Sequence, residues 1–164
     1  MDKSQIISSM NGFMYKLTSQ LGDWLGKRLP KITESYWEDI VLSNLSALQR
    51  SNINAAGLTK VNELDLAALL RIIDRNWFVI TNSFYINNKE RSKVRDMIEV
   101  RNNWAHIAPA AISRERVLGD LEIINELMGA FDASSADIRE IDKYIMGIED
   151  ADFDIDETAA VGIE

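Results

Sequence analysis

Apolar residues recur every three or four positions along most of this chain, and the phase of that recurrence divides it into helices. Ile6, Met10, Phe13, Met14, Leu17 and Leu21 form one stripe, predicting a helix from Ser4 to about Leu21. Gly22, Gly26 and Pro30 then break the period, with Trp24, Leu25 and Leu29 anchoring an irregular connection. Ser35 and Glu38 stand at capping-box spacing, and Trp37, Ile40, Val41, Leu45 and Leu48 carry a second helix to about Arg50. Residues 51–62, rich in Asn and holding Gly57, read as a loop. From Glu63 to about Ile80 apolar residues fall on nearly all sides, as in the central helix of a bundle, interrupted by Arg71, Asp74 and Arg75. Asp74 has Arg71 and Arg75 within helical reach, while any of the three could instead reach a neighbouring helix.

Residues 81–88 are turn-like, and Asn88 is placed to cap a helix from Lys89 to about Ile107. Pro109 ends that helix, because a residue before proline avoids the α region and Ala108 is pushed out of it. Ser113 caps the next helix, with Ile112 and Val117 as a hydrophobic staple and Val117, Leu121, Ile124, Met128 and Phe131 as its buried stripe. After Ser134 or Ser135 a shorter helix carries Ile138, Ile141, Ile145 and Ile148. The expected fold is therefore all-α, a single helical bundle of five or six helices over residues 1–148, with a disordered acidic tail or linker over 149–164. Phe13, Leu17, Ile40, Leu69, Ile73, Ile98, Leu121 and Ile124 are its expected core.

Composition narrows the function classes. The chain has 164 residues, enough for one domain with a sizeable core. It holds no Cys, which removes disulfides and thiolate metal sites, and the one His leaves no histidine cluster for a metal. No Gly-rich phosphate loop or G-x-S-x-G elbow is present, so no cofactor or metal is implied. No apolar run reaches bilayer length and the N-terminus lacks a basic-then-apolar leader, so a cytoplasmic protein with no membrane partner is expected. The formal charge of −8 is concentrated at one end: seven of the 26 acids lie in residues 149–164, which hold no Lys or Arg. Between Arg71 and Arg116, by contrast, nine bases face five acids, a surface compatible with a phosphate backbone. The alternation of acid and apolar residues from Asp152 to Asp156 is not a calcium loop, since Ile155 and Val161 occupy the positions that need Gly and Glu.

The chemistry gathers in Glu99-Val100-Arg101-Asn102-Asn103-Trp104-Ala105-His106, which contains the only histidine. At 100° per residue, Val94, Met97, Ile98, Trp104, Ala105 and Ala108 share a stripe with Arg101 at its centre. A guanidinium there calls for a carboxylate, a phosphate or a partner surface. Asn102, four residues before His106, shares its face and can orient the imidazole. The plainer reading is an ion-paired arginine and a histidine that merely caps a helix C-terminus, where a cation is favoured.

Read together, Arg101, the polar Asn102 and, four residues further on, His106 resemble the motif of the HEPN superfamily of all-helical ribonucleases and nucleotide-binding domains. The likeness extends through Leu66-Ala67-Ala68-Leu69-Leu70-Arg71-Ile72-Ile73-Asp74-Arg75-Asn76-Trp77 and Val94 to His106, which look like the subgroup at the N-termini of bacterial helicase-like and ATPase-like proteins. The resemblance implies a homodimer in which two copies of the motif face one cleft, cutting single-stranded RNA without metal by attack of the 2′-hydroxyl. Arg101, Asn102 and His106 would be its catalytic residues, and Arg95 and Arg101 its RNA-binding cations. Those residue types suit the task, because a guanidinium binds phosphate through two donors and an imidazole moves protons near neutral pH. The alternative is a non-catalytic RNA-binding or dimerisation module at the front of a larger helicase or ATPase, and a further one is dimerisation with Arg101 in an interface salt bridge. The Lys89–Ile107 helix is the expected dimer interface.

Overall fold

The computed structural model describes residues 2–151, which form helices joined by short turns and contain no strand. Seven α-helices, with a π-helical turn and three short 3₁₀ turns between them, exceed the five or six predicted. The acidic tail expected beyond residue 148 lies outside the described residues from 152 onward, and residues 149 and 150 belong to the last helix.

Helix α1 (Lys3–Ile32) begins at a capping box: Asp2 Oδ1 accepts from the Ser4 and Gln5 amides, and Gln5 Oε1 accepts from the Asp2 amide. It does not stop at Leu21 as predicted. The stripe continues through Trp24, Leu25 and Leu29, all buried, so the apolar period outweighs the propensity cost of two glycines. Gly22 has a packing reason instead. A Cβ there would come within 3.0 Å of the Asn62 Cα, on the 3₁₀ turn Val61–Glu63. Trp24 donates its ring N–H to Asp132 Oδ2 at 2.9 Å and packs edge-on against Phe84 and Phe131, fastening α1 to the far end of the chain.

The predicted helix from Ser35 to Arg50 is broken. Trp37–Val41 form a π-helical turn, Leu42–Asn44 a 3₁₀ turn, and α2 (Ala47–Ala56) starts afresh at a capping box between Ser46 and Gln49. The helix thus occupies part of the stretch read as a loop. The central helix is also divided, into α3 (Leu66–Arg75) and α4 (Trp77–Phe84), at Asn76, whose φ of −110° and ψ of 23° leave the helical region. The Asn76 side chain donates to the Ile72 carbonyl at 2.8 Å and the Ile40 carbonyl at 3.3 Å, tying the break to the π turn. Helix α4 runs on to Phe84, past the expected turn at Thr81.

Helix α5 (Glu90–Ala105) packs between α3 and α6 (Arg114–Ala130), while α1 crosses all three and α7 (Ser135–Asp150) lies along α6. Asn88 does not cap α5 as predicted; its Oδ1 accepts from the Trp77 ring N–H at 3.2 Å. Ala108 is extended before Pro109, as expected, although the helix already ends at Ala105. The caps at Ser113 and Ser134 form, and Val117, Leu121, Ile124, Met128 and Phe131 are all buried. Of the expected core, only Ile98 departs, being half-buried. No helix among the described residues is long and apolar enough to cross a membrane.

Trp104 anchors the end of α5: it is 3% exposed, and its ring N–H donates to Asp120 Oδ2 on α6 at 2.7 Å. Burial pushes the Asp120 carboxyl above its ordinary value, against the opposing pull of that hydrogen bond and of the Arg116 charge.

Two outcomes follow for stability. Gly22→Ala should destabilise the fold by about 1–3 kcal/mol through overpacking against Asn62. Gly26→Ala, four residues on and with open space around the added methyl, should stabilise it by about 0.5–1 kcal/mol; urea unfolding of the pair would show opposite signs. For Asp120, the cost of ionisation is absent below the unfolded value of 3.8, grows as pH rises toward the raised folded value, and is constant above it. Asp120→Asn keeps an acceptor for Trp104, so its stability relative to the parent should rise as pH climbs from below 3.8 through the raised folded value and then level off. A pH-independent difference in urea midpoints would contradict this.

Candidate functional site

The face that α5 turns inward is set by Val94, Met97, Val100 and Trp104, all buried. This stripe is rotated from the predicted one. Val100 is on it, Ala105 is exposed and off it, and Arg101 sits at its edge, half-buried beside Ile98. A β-branched side chain one residue before the arginine takes the core position, so the guanidinium need not.

Arg101 and Asn102 line a cleft of about 310 Å³ between α5 and α3. Ala67, Leu70 and Ile98 supply its apolar part, and Arg71, Asp74 and Arg75 its charges from the α3 side. These three charged residues fall on one face of α3, at spacings of three and four. Arg71 Nε donates to the Asn44 carbonyl at 2.7 Å, which fixes its guanidinium against the 3₁₀ turn. Asp74 pairs with neither Arg71 nor Arg75 within its own helix. Its Oδ1 accepts from Arg91 Nε at 3.2 Å and Arg95 Nε at 3.0 Å, both on α5, and Arg91 also donates to the Asp74 carbonyl. Arg91 in turn lies over the Phe78 ring at 5.3 Å.

Arg101 therefore has no carboxylate partner among the described residues. Its Nη1 donates to Asn102 Oδ1 at 3.2 Å, so Asn102 contacts the guanidinium rather than the imidazole it was expected to orient. Arg95, expected to bind RNA, is 59% exposed and shares Asp74 with Arg91. His106 is the C-cap residue of α5, its backbone N–H closing on the Asn103 carbonyl at 3.3 Å. Its side chain is exposed and does not line the cleft. It lies five positions after Arg101, which on helical geometry places its start about 7.5 Å further along the axis and roughly 140° round. The structure thus brings Arg101 and Asn102 together with Arg71 and Arg75, and leaves His106 and Arg95 outside that cleft.

Arg71 and Arg75 were legible only as charges interrupting an apolar helix. Their common face was the signal, and which neighbour they met was not in the pattern. No group of three or more His, Asp or Glu capable of holding a metal occurs among the described residues. What the cleft can do chemically is bind an anion, through guanidinium donors left unmatched among the described residues.

The outward face of α5 carries Arg95, Asp96, Glu99, Asn102 and Asn103, all exposed. Because the apolar stripe is consumed inside the bundle, any association along α5 would be polar.

No curated protein and no solved structure matches the chain. A model of the Swt1-like HEPN family matches residues 13–132, from within α1 to just past the end of α6. That span takes in the Arg101–His106 motif, both walls of the arginine cleft and the Trp104–Asp120 anchor. The chain belongs to the HEPN superfamily, in its Swt1-like family.

Proposed function

We propose that this domain is a metal-independent endoribonuclease that cuts single-stranded RNA, acting as a homodimer in which two copies of the motif face one cleft. The observation that carries this reading is the state of Arg101: a half-buried guanidinium whose acidic neighbour Asp74 is already taken by Arg91 and Arg95. Such a cation is free for a phosphate, and the family is one of RNA-related domains. Arg101 would bind the scissile phosphate and offset charge developing on it, with Asn102 holding the guanidinium. One His106 imidazole takes the proton of the 2′-hydroxyl as its oxygen attacks phosphorus; the bond to the 5′-oxygen breaks, and an imidazolium protonates that oxygen. The products are a 2′,3′-cyclic phosphate and a free 5′-hydroxyl. Single strands are the substrate because in-line attack needs a backbone free to leave A-form geometry. Since Arg101 and His106 lie on different faces of one helix end, two copies bring the functions together more readily than one.

A second reading is favoured by the exposure of His106 outside the cleft: a non-catalytic module that binds RNA or mediates dimerisation, at the N-terminus of a larger helicase-like or ATPase-like protein. It would bind RNA without cutting it.

With excess chelator present, the purified domain should convert single-stranded RNA to fragments ending in cyclic phosphate. His106→Ala should lower the rate by about 10² to 10⁴, the span of a general acid/base, and Arg101→Ala by a similar factor. Arg101→Lys should restore only part, lacking the two-pronged donor geometry. Cleavage lost on chelation, or His106→Ala cutting as fast as the parent, would transfer the case to the binding module.

A further inference from the structure

Three arginines, Arg71 and Arg75 from α3 and Arg101 from α5, line one cleft of about 310 Å³, and among the described residues Asp74 is the only carboxylate lining it with them. That carboxylate answers Arg91 and Arg95 and does not neutralise them. Arg71 commits Nε to the Asn44 carbonyl, which orients the fork and leaves its terminal nitrogens unpartnered among the described residues. Arg101 commits one nitrogen to Asn102, and Arg75, exposed, has no hydrogen-bond or ion-pair partner among the described residues. Like charges gathered this way repel one another unless an anion joins them, and a phosphate accepts from several guanidinium donors at once. The apolar part of the cleft, from Leu70 and Ile98, suits a ribose or base edge attached to that phosphate better than a bare ion.

We propose that Arg71 and Arg75, on the α3 side of this cleft, hold the backbone phosphate next to the scissile one that Arg101 takes, and so act as positioning residues for a single-stranded RNA. The assignment rests on the ribonuclease reading for its register and on the cleft alone for its binding. Arg75 is the clean probe, because it holds nothing else in place.

The test is fluorescence anisotropy with a labelled 2′-O-methyl oligonucleotide, which lacks the attacking hydroxyl and so reports binding without cleavage. Arg75→Ala should bind about 3- to 10-fold more weakly, and its plot of log affinity against log salt should be shallower by about 0.7, the loss of one phosphate contact on a single strand. Arg75→Lys should keep the slope while losing part of the affinity. Equal affinity and slope for Arg75→Ala and the parent would overturn the proposal, even if the parent cuts RNA. Dependence on Arg75 without any cutting of ordinary RNA would keep the cleft and remove the nuclease reading. Displacement of the oligonucleotide by adenosine monophosphate at comparable concentration would make the cleft a mononucleotide pocket and overturn the strand assignment.

Discussion

Asp74 decides how charge is distributed in this domain. It is the one acid lining a cleft with three arginines, and it is spent on two others, Arg91 and Arg95, further up α5. Partly exposed pairs of this kind add at most about 1 kcal/mol each, so their importance is geometric more than energetic. They set the register of α3 against α5, alongside the buried contacts of Val94, Met97 and Val100. They also leave Arg101 and Arg75 without an acid among the described residues. Had Asp74 paired within its own helix, Arg91 and Arg95 would have been the free cations, one turn or more away from the motif.

The second constraint is Trp104. Its buried ring and the hydrogen bond to Asp120 hold the last turn of α5 against α6, which fixes the backbone from which Arg101, Asn102 and His106 project. The tryptophan of the motif is therefore architectural, while the arginine and histidine either side of it are left available. A helix end held by one residue and exposed through its neighbours is how a stable core and an accessible site share eight positions.

Much of the fold was legible in the apolar period. The stripes of α6 and α7, the caps at Ser113 and Ser134 and the extended Ala108 before Pro109 rest on local rules, and they form as read. The errors came where tertiary contact overrides local preference. Gly22 and Gly26 looked like breaks because isolated glycine disfavours helix, yet Gly22 serves the close approach of Asn62, and α1 gains a long buried stripe by continuing. Asn76 looked like one more residue of a central helix, and its bonds to the Ile40 and Ile72 carbonyls, the former on a distant turn, end that helix. In the site, the helix phase placed Arg101 at the centre of the stripe because Val100 was left off it; one residue of phase is 100°, and that moved the arginine from core to cleft wall. Arg71 and Arg75 were visible as misplaced charges, but partners between helices cannot be counted along one.

Under the ribonuclease proposal, the separation of Arg101 from His106 around α5 means that a complete centre needs the motif from two copies. Mixing experiments address it most directly. Arg101→Ala and His106→Ala proteins, each expected to be slowed by about 10² to 10⁴ alone, are combined, allowed to exchange subunits, and assayed for cyclic-phosphate products. The mixture should regain a measurable fraction of the parental activity, because the mixed dimer still offers one arginine and one histidine to the shared cleft. A mixture that exchanges subunits, as seen by sedimentation or light scattering of tagged copies, and yet cuts no faster than either variant alone would contradict it.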